Sequence, residues 1–269
     1  MNIRNLALTG LLALLSACKG VMTEEVKPTG AALLLPEGSV VKQDTFKGFR
    51  RTIFKFEERD AWIIEPNYVR AGKPWCWCLE WPGAFWATTG QGECLNRGYH
   101  YVTYACKGAM TDEAVASCRR LQEFLVKTFG LAPKANLIGL SWGGFYAVRY
   151  ASCAPECVRK IYLDNPLLNF DGFKSGPRGW KKGDCSWTDD PRLSVNRAAP
   201  IAKAGIPILL MYGDADTVCP PDLNCLRFAK SFKAAGGDLT VVVRPGAGHH
   251  PHGVIDADLG FQLDFFAKD

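Results

Sequence analysis

The chain has 269 residues, 48% of them hydrophobic and 22% charged. Those are the proportions of a globular protein with length enough for a sizeable core, not of a disordered chain. The formal net charge of +5 is mild and spread along the sequence. It forms no basic helix or aromatic–basic stripe, which excludes nucleic acid as an expected partner.

The first residues read as a targeting segment. Met1-Asn2-Ile3-Arg4 is a positive start, Leu6 to Leu15 is a short apolar run, and Leu15-Ser16-Ala17-Cys18 closes it. That run is too short to span a bilayer, and no later stretch stays apolar long enough. The ending resembles a bacterial lipobox, which implies removal of residues 1–17 as a signal peptide and lipidation of Cys18. A diacylated anchor would hold the protein stably at the membrane of the cell envelope. Residues 18–44 then read as a tether and 45–269 as the folded domain. Export also places the other cysteines in an oxidising compartment. Eleven cysteines less Cys18 leave an even set, Cys76, Cys78, Cys94, Cys106, Cys118, Cys153, Cys157, Cys185, Cys219 and Cys225, all disulfide candidates. Cys219 with Cys225 and Cys153 with Cys157 are local possibilities, whereas zinc-finger spacing is absent.

In chain order, Phe49 to Phe56 and Ala61 to Glu65 alternate as an antiparallel pair of strands. Trp75 to Trp81 reads as a strand with Cys76 and Cys78 on one face. Gln91 to Arg97 reads as a short helix and Tyr99 to Tyr104 as a strand. Thr111 caps a helix whose apolar residues (Val115, Cys118, Leu121, Leu125, Val126) recur at helical spacing, and Gly130 ends it.

Next comes Ala135-Asn136-Leu137-Ile138-Gly139-Leu140-Ser141-Trp142-Gly143-Gly144. A buried strand stops at Gly-x-Ser-x-Gly and a helix restarts through Phe145 to Tyr150. This is a nucleophile elbow, in which a sharp strand-to-helix turn exposes the serine hydroxyl with a helix N-terminus behind it. Gly139 and Gly143 are expected where a Cβ would collide. Val158 to Leu163 is the next strand. Asn165 to Ala199, rich in Gly, Pro, Trp and charge, lacks periodicity and reads as a cap insertion at about 165–199. Pro207 to Met211, Asp222 to Ala235, Leu239 to Val243 and Phe261 to Ala267 follow as strand, helix, strand and helix. Strands alternating with helices specify a mostly parallel sheet with helices on both faces, with ligands at the carboxyl ends of the strands.

Two polar segments fall at those ends: Gly213-Asp214-Ala215-Asp216-Thr217-Val218, and Gly246-Ala247-Gly248-His249-His250-Pro251-His252. Serine, then aspartate, then histidine is the chain order of one class of serine hydrolases. A serine hydroxyl is a poor nucleophile until an imidazole takes its proton and a buried carboxylate orients that imidazole. Over roughly residues 45–267 the chain resembles the α/β-hydrolase-fold serine hydrolases, in particular exported bacterial esterase-like members. The resemblance implies Asp216 as the acid and His249 as the base. Asp214 and Asp164 are the alternative acids. His250 and His252 shape the loop or the pocket, and His100 reads as structural.

An acyl-transfer transition state also needs two oxyanion donors. The Trp142 N–H is one. The Glu80-Trp81-Pro82-Gly83 loop supplies the other from Trp81 or else Gly83, departing from the His-Gly-Gly-Gly of many lipases. Trp81, Phe85, Trp86 and, in the cap, Phe170, Phe173, Trp180 and Trp187 offer flat apolar walls to a sugar or aryl group, or else pack the cap onto the body. Lys174, Arg178, Lys181 and Lys182 would meet an acidic substrate or be a solvated surface.

The expectation is a membrane-tethered serine esterase acting on a small-molecule or glycan ester through an acyl-enzyme, with no metal or organic cofactor. A peptidase or thioesterase of the same fold, or a non-catalytic binding protein, is the alternative.

Overall fold

The computed structural model describes residues 29–57, 59–104, 110–171, 176–181, 187–254 and 260–268. Cys18, the signal segment, Cys106, Phe173, Lys174, Lys182 and Cys185 lie outside them. Nine strands form one sheet: β1 (Val40–Phe46), β2 (Phe49–Phe56), β3 (Arg59–Glu65), β4 (Trp75–Cys78), β5 (His100–Tyr104), β6 (Ala135–Leu140), β7 (Val158–Asp164), β8 (Ile208–Gly213) and β9 (Leu239–Arg244). The six helices among the described residues are α1 (Gln91–Asn96), α2 (Asp112–Phe129), α3 (Trp142–Cys153), α4 (Ala198–Lys203), α5 (Cys225–Ala234) and α6 (Phe261–Ala267).

The strand order is β1-β2-β3-β5-β4-β6-β7-β8-β9. The β1–β2, β2–β3 and β3–β5 pairs are antiparallel and every pair from β5–β4 to β8–β9 is parallel. Alternation along the central strands sorts side chains onto two faces. Trp75, Trp77, Leu137, Ile161, Leu163, Ile208 and Leu210 join one core, with residues of α2, α3, α4 and α5. Cys76, Cys78, Ile138, Leu140, Tyr162, Leu209 and Met211 join the other, under α1 and α6. Both faces being covered explains why β4, β6 and β8 are buried throughout rather than alternately.

Local signals set the ends of α2. Thr111 Oγ1 accepts the Ala114 N–H at 3.3 Å, and Gly130 closes the helix in a left-handed conformation (φ 66°).

Three expectations change. The tether assigned to residues 18–44 is folded well before its end. Val40–Phe46 is the edge strand β1, and Gly30–Leu34 is a short 3-10 turn whose Ala31 N–H donates to Glu65 at 3.1 Å. Folded structure is therefore already present from Gly30, ahead of residue 45. Next, the described residues of the insertion at about 165–199 hold irregular chain and a 3-10 turn at Ser194–Asn196, and α4 begins at Ala198, just inside its expected end.

Finally, Cys76, Cys78, Cys94, Cys153, Cys157, Cys219 and Cys225 are free thiols, so neither local disulfide is present among the described residues. Five of these are buried and serve as small apolar packing groups. Burial pushes the Cys78 thiol up to about 12. No helix of the described residues is long and apolar enough to cross a membrane.

Candidate active site

The site is built at the carboxyl ends of β6, β7, β8 and β9, where the parallel strands deliver their loops to one rim. Ser141 follows β6 with φ 49° and ψ −118°, a conformation an L-residue adopts only when its surroundings impose it. Here they do. The Ser141 N–H donates to the Asp164 carbonyl at 3.1 Å, and the Ser141 carbonyl accepts from the Gly144 and Leu167 N–H groups at 2.9 Å each.

The glycines of the elbow divide differently from expectation. A Cβ on Gly139 would stand 2.8 Å from the Gly144 Cα, and one on Gly144 would stand 2.3 Å from the Pro166 Cβ. A Cβ on Gly143 meets nothing closer than Glu80 at 3.4 Å, ordinary contact. Gly139 and Gly144, not Gly143, are required for space, because strand and helix backbones close on each other there.

His249 lies in the loop after β9 and Asp216 in the turn after β8. Ser141 Oγ stands 3.1 Å from His249 Nε2, and His249 Nδ1 stands 2.7 Å from Asp216 Oδ2. A carboxylate only accepts, so the tautomer that satisfies both contacts carries its proton on Nδ1 and presents the Nε2 lone pair to the hydroxyl. The other oxygen, Asp216 Oδ1, accepts from the Val218 and Cys219 N–H groups at 2.8 and 2.9 Å. Asp216 and His249 are both buried.

The alternative acids are occupied elsewhere. Asp214 Oδ1 accepts the Gly246 N–H at 2.6 Å and so ties the two loops together. Asp164, wholly buried, accepts from the Tyr162 hydroxyl (2.5 Å), the Gly253 N–H (2.6 Å), Arg244 Nη2 (3.1 Å) and His252 Nδ1 (3.0 Å). Burial and the Asp164 charge raise the Tyr162 hydroxyl well above its ordinary pKa.

Of the two loop donors, Gly83 gives its N–H to Gln91 Oε1 at 3.0 Å. Trp81 remains, in left-handed backbone (φ 59°) on the wall of the same cavity as Ser141. Trp142 is the first residue of α3, so its N–H has no intrahelical acceptor. Beside this loop, burial raises the Glu80 carboxyl, opposed by the positive Arg178.

The cavity, about 390 Å³, is lined by Trp81, Ala84, Phe85, Leu140, Ser141, Val218, His249, His250 and His252. Of the six described aromatic residues expected as its walls (Phe173 lies outside the described residues), Trp81 and Phe85 line it. Trp86 turns inward onto Phe46 and Tyr101. Phe170 packs on Trp142 and Phe145, Trp180 packs on Phe145, and Trp187 lies against the same core. They fasten the cap to the body. Arg178 and Lys181 are exposed.

Two groups carry roles that the sequence did not assign. Asn165, just past β7, donates to the Gly248 and His249 carbonyls (3.2 and 2.8 Å) and accepts the Gly213 N–H (2.8 Å), fixing the histidine loop against β8. The Cys219 thiol lies beside Ser141 and Asp216. Burial and the Asp216 charge push it up to about 12, which keeps it protonated. His250 and His252, expected to shape the loop or the pocket, line the cavity, and the ring centroids of His249, His250 and His252 lie 4.7 to 5.1 Å apart. Burial and the two neighbouring imidazoles lower the His250 pKa. Position at a strand's carboxyl end was the one signal that marked Asp164-Asn165; none marked Cys219.

The sequence profile of the alpha/beta hydrolase fold matches residues 75–198, which run from β4 into α4 and include the elbow. This chain has the α/β-hydrolase fold. It is 24% identical over 156 residues to acylamino-acid-releasing enzyme 2 of Oryza sativa subsp. japonica, a match covering 51% of this chain and 20% of that protein. The chain thus spans only a small part of that relative's length.

Among solved α/β-hydrolase-fold structures, an acylaminoacyl peptidase in complex with Z-Gly-Gly-Phe-chloromethyl ketone superposes with a TM-score of 0.63. The identity is 15%, over 82% of this chain and 41% of that one. Thermogutta terrifontis esterase 2, solved phosphoramylated by tabun, superposes with a TM-score of 0.57 at 16% identity, over 83% of this chain and 95% of that one.

Proposed function

We propose that this α/β-hydrolase-fold chain is a serine hydrolase that cleaves carboxylic esters through an acyl-enzyme on Ser141. The observation that carries the reading is the unbroken relay from Ser141 Oγ to His249 Nε2 and from His249 Nδ1 to Asp216 Oδ2, at 3.1 and 2.7 Å. As Oγ attacks the ester carbonyl carbon, its proton passes to Nε2, and Asp216 stabilises the imidazolium so formed. The carbonyl oxygen becomes an oxyanion that the N–H groups of Trp142 and Trp81 would receive. The tetrahedral centre then expels the alcohol, which takes the proton from Nε2. Water, deprotonated by the same nitrogen, releases the acid and restores the serine.

Two cavities meet at Val218 and suggest how a substrate lies. The 390 Å³ cavity at Ser141 is largely apolar and suits the acyl group. The second, about 340 Å³, offers the exposed Asp171 and Thr217 to a polar leaving group, which supports a carbohydrate-linked ester. The acylamino-acid-releasing enzyme and the acylaminoacyl peptidase that this chain is similar to favour a second reading, a peptidase acting on acylated amino-terminal residues. Attachment at the cell envelope through Cys18 remains part of the proposal and rests on residues 1–18 alone.

The test is a panel of short-chain aryl esters, acylated sugars and N-acyl dipeptide amides given to the purified chain. The ester reading expects kcat/KM on the first two to exceed that on the amides by at least about a hundredfold. Preference for the amides would replace it with the peptidase reading.

A further inference from the structure

The cluster beside the nucleophile has the makings of a metal site that the proposed reaction does not use. His249, His250 and His252 each offer a ring nitrogen, and the three lie within 4.8 Å of one another. A zinc ion holds imidazole nitrogens at about 2.1 Å, so ring movements of under about 1 Å bring all three into one coordination sphere.

A second, independent observation concerns the far side of the rings. His249 Nδ1 is fixed by Asp216 at 2.7 Å and His252 Nδ1 by Asp164 at 3.0 Å. Each buried carboxylate holds the proton on Nδ1 and leaves the Nε2 lone pair available. That is how carboxylates orient metal-ligating histidines from behind. Two carboxylates also supply negative charge for a dication, offset in part by Arg244 on Asp164. The third ring, His250, is exposed and stacks on Phe85 with centroids 5.4 Å apart, so it can approach the other two from the open side.

We infer that His249, His250 and His252 bind a single d-block dication such as Zn²⁺, and that the bound ion reversibly switches the hydrolase off. The ion occupies the Nε2 lone pair of His249, the same pair that must take the serine proton. A three-histidine set leaves a fourth position for water, so nothing in the protein has to unfold to admit the ion. Inhibition rests on the proposed function, whereas binding does not.

The experiment uses the full chain without a polyhistidine tag, stripped with a chelator. Zn²⁺ is titrated in competition with a chromogenic chelator, and Co²⁺ is followed by its visible d–d bands. One ion per chain is expected. His250→Asn and His252→Asn should each weaken Zn²⁺ binding at least about tenfold, and Ser141→Ala should retain it. His252 packs on Asp164, so the exposed His250 variant is the one free of folding effects.

Saturating Zn²⁺ should also slow fluorophosphonate labelling of Ser141 at least about tenfold, with recovery on chelation. No stoichiometric binding, or binding kept within about twofold by both histidine variants, overturns the site. Histidine-dependent binding without loss of labelling overturns the switch. Binding in a chain that hydrolyses nothing leaves the site standing and counts against the proposed function alone.

Discussion

Two buried aspartate–histidine pairs lie side by side at the rim of this sheet, Asp216–His249 and Asp164–His252, with contacts of 2.7 and 3.0 Å. They share residue types and burial and differ in what surrounds them. Asp216 is held by two backbone N–H groups of its own turn, and the outer nitrogen of its histidine faces a hydroxyl. Asp164 is saturated by a phenol, a backbone N–H and a guanidinium, and it binds β7 to the loop after β9. The first pair leaves a lone pair facing the Ser141 hydroxyl, while the second belongs to a cluster in which Arg244 compensates the charge of Asp164 and strands are tied together. An Asp–His contact alone therefore says nothing about catalysis. What the second nitrogen faces decides it.

The largest effects should come from the relay. Ser141→Ala is expected to lower kcat on a cleaved ester by roughly 10⁶-fold, and Asp216→Asn by roughly 10⁴-fold through the wrong histidine tautomer. Steady-state kinetics on folded variants checks both, and a loss under tenfold for Asp216→Asn would make the pair no different from its neighbour.

Asp164→Asn should act on stability instead. Removing a buried charge that Arg244 compensates costs about 3–5 kcal/mol, or on the order of 10 °C in Tm for a chain of this size. Differential scanning calorimetry should show a much smaller shift for Asp216→Asn.

A third buried histidine, His100, has no carboxylate partner among the described residues, and its Nδ1 makes no hydrogen bond there. Burial, aided by Lys73, lowers His100 from the ordinary 6.5 to about 4. The unfolded chain takes up that proton below about 6.5 whereas the folded chain resists until about 4. Stability is therefore full above this window and is lost as pH falls through it, by up to about 3 kcal/mol. Urea unfolding across the window should show a flatter pH dependence in His100→Gln than in the parent. Equal slopes would contradict the burial of an unpaired ring as the cause.

The smallest effect separates the elbow glycines. Gly144→Ala should cost about 1–3 kcal/mol from overpacking against Pro166, and Gly143→Ala under about 1 kcal/mol. Thermal melts that rank them in the opposite order would mean the elbow is set differently.

The sheet was legible because its core strands are continuous apolar runs and its helices carry periodic faces and caps, as with Thr111 and Gly130 around α2. The relay was legible because Gly-x-Ser-x-Gly, Asp216 and His249 each follow a separate strand, so the topology alone brings them to one rim. Edge strand β1 was not legible. Its Val40–Phe46 segment is half exposed, without the alternation that one buried face imposes.

The cap aromatics misled because an aromatic that fastens an insertion to the body and one that lines a pocket have the same composition. The roles of Asp164, Asn165 and Cys219 depend on contacts between loops distant in sequence, as in the clasp of Asn165 on the His249 carbonyl.

The most direct test of the relay is the intact mass of the chain after brief exposure to a fluorophosphonate, parent beside His249→Gln. Phosphonylation needs the activated hydroxyl but no particular substrate. The account predicts a single adduct on the Ser141 peptide of the parent, formed at least about a hundredfold more slowly in His249→Gln. An adduct on another residue, or equal rates in the two chains, would contradict it.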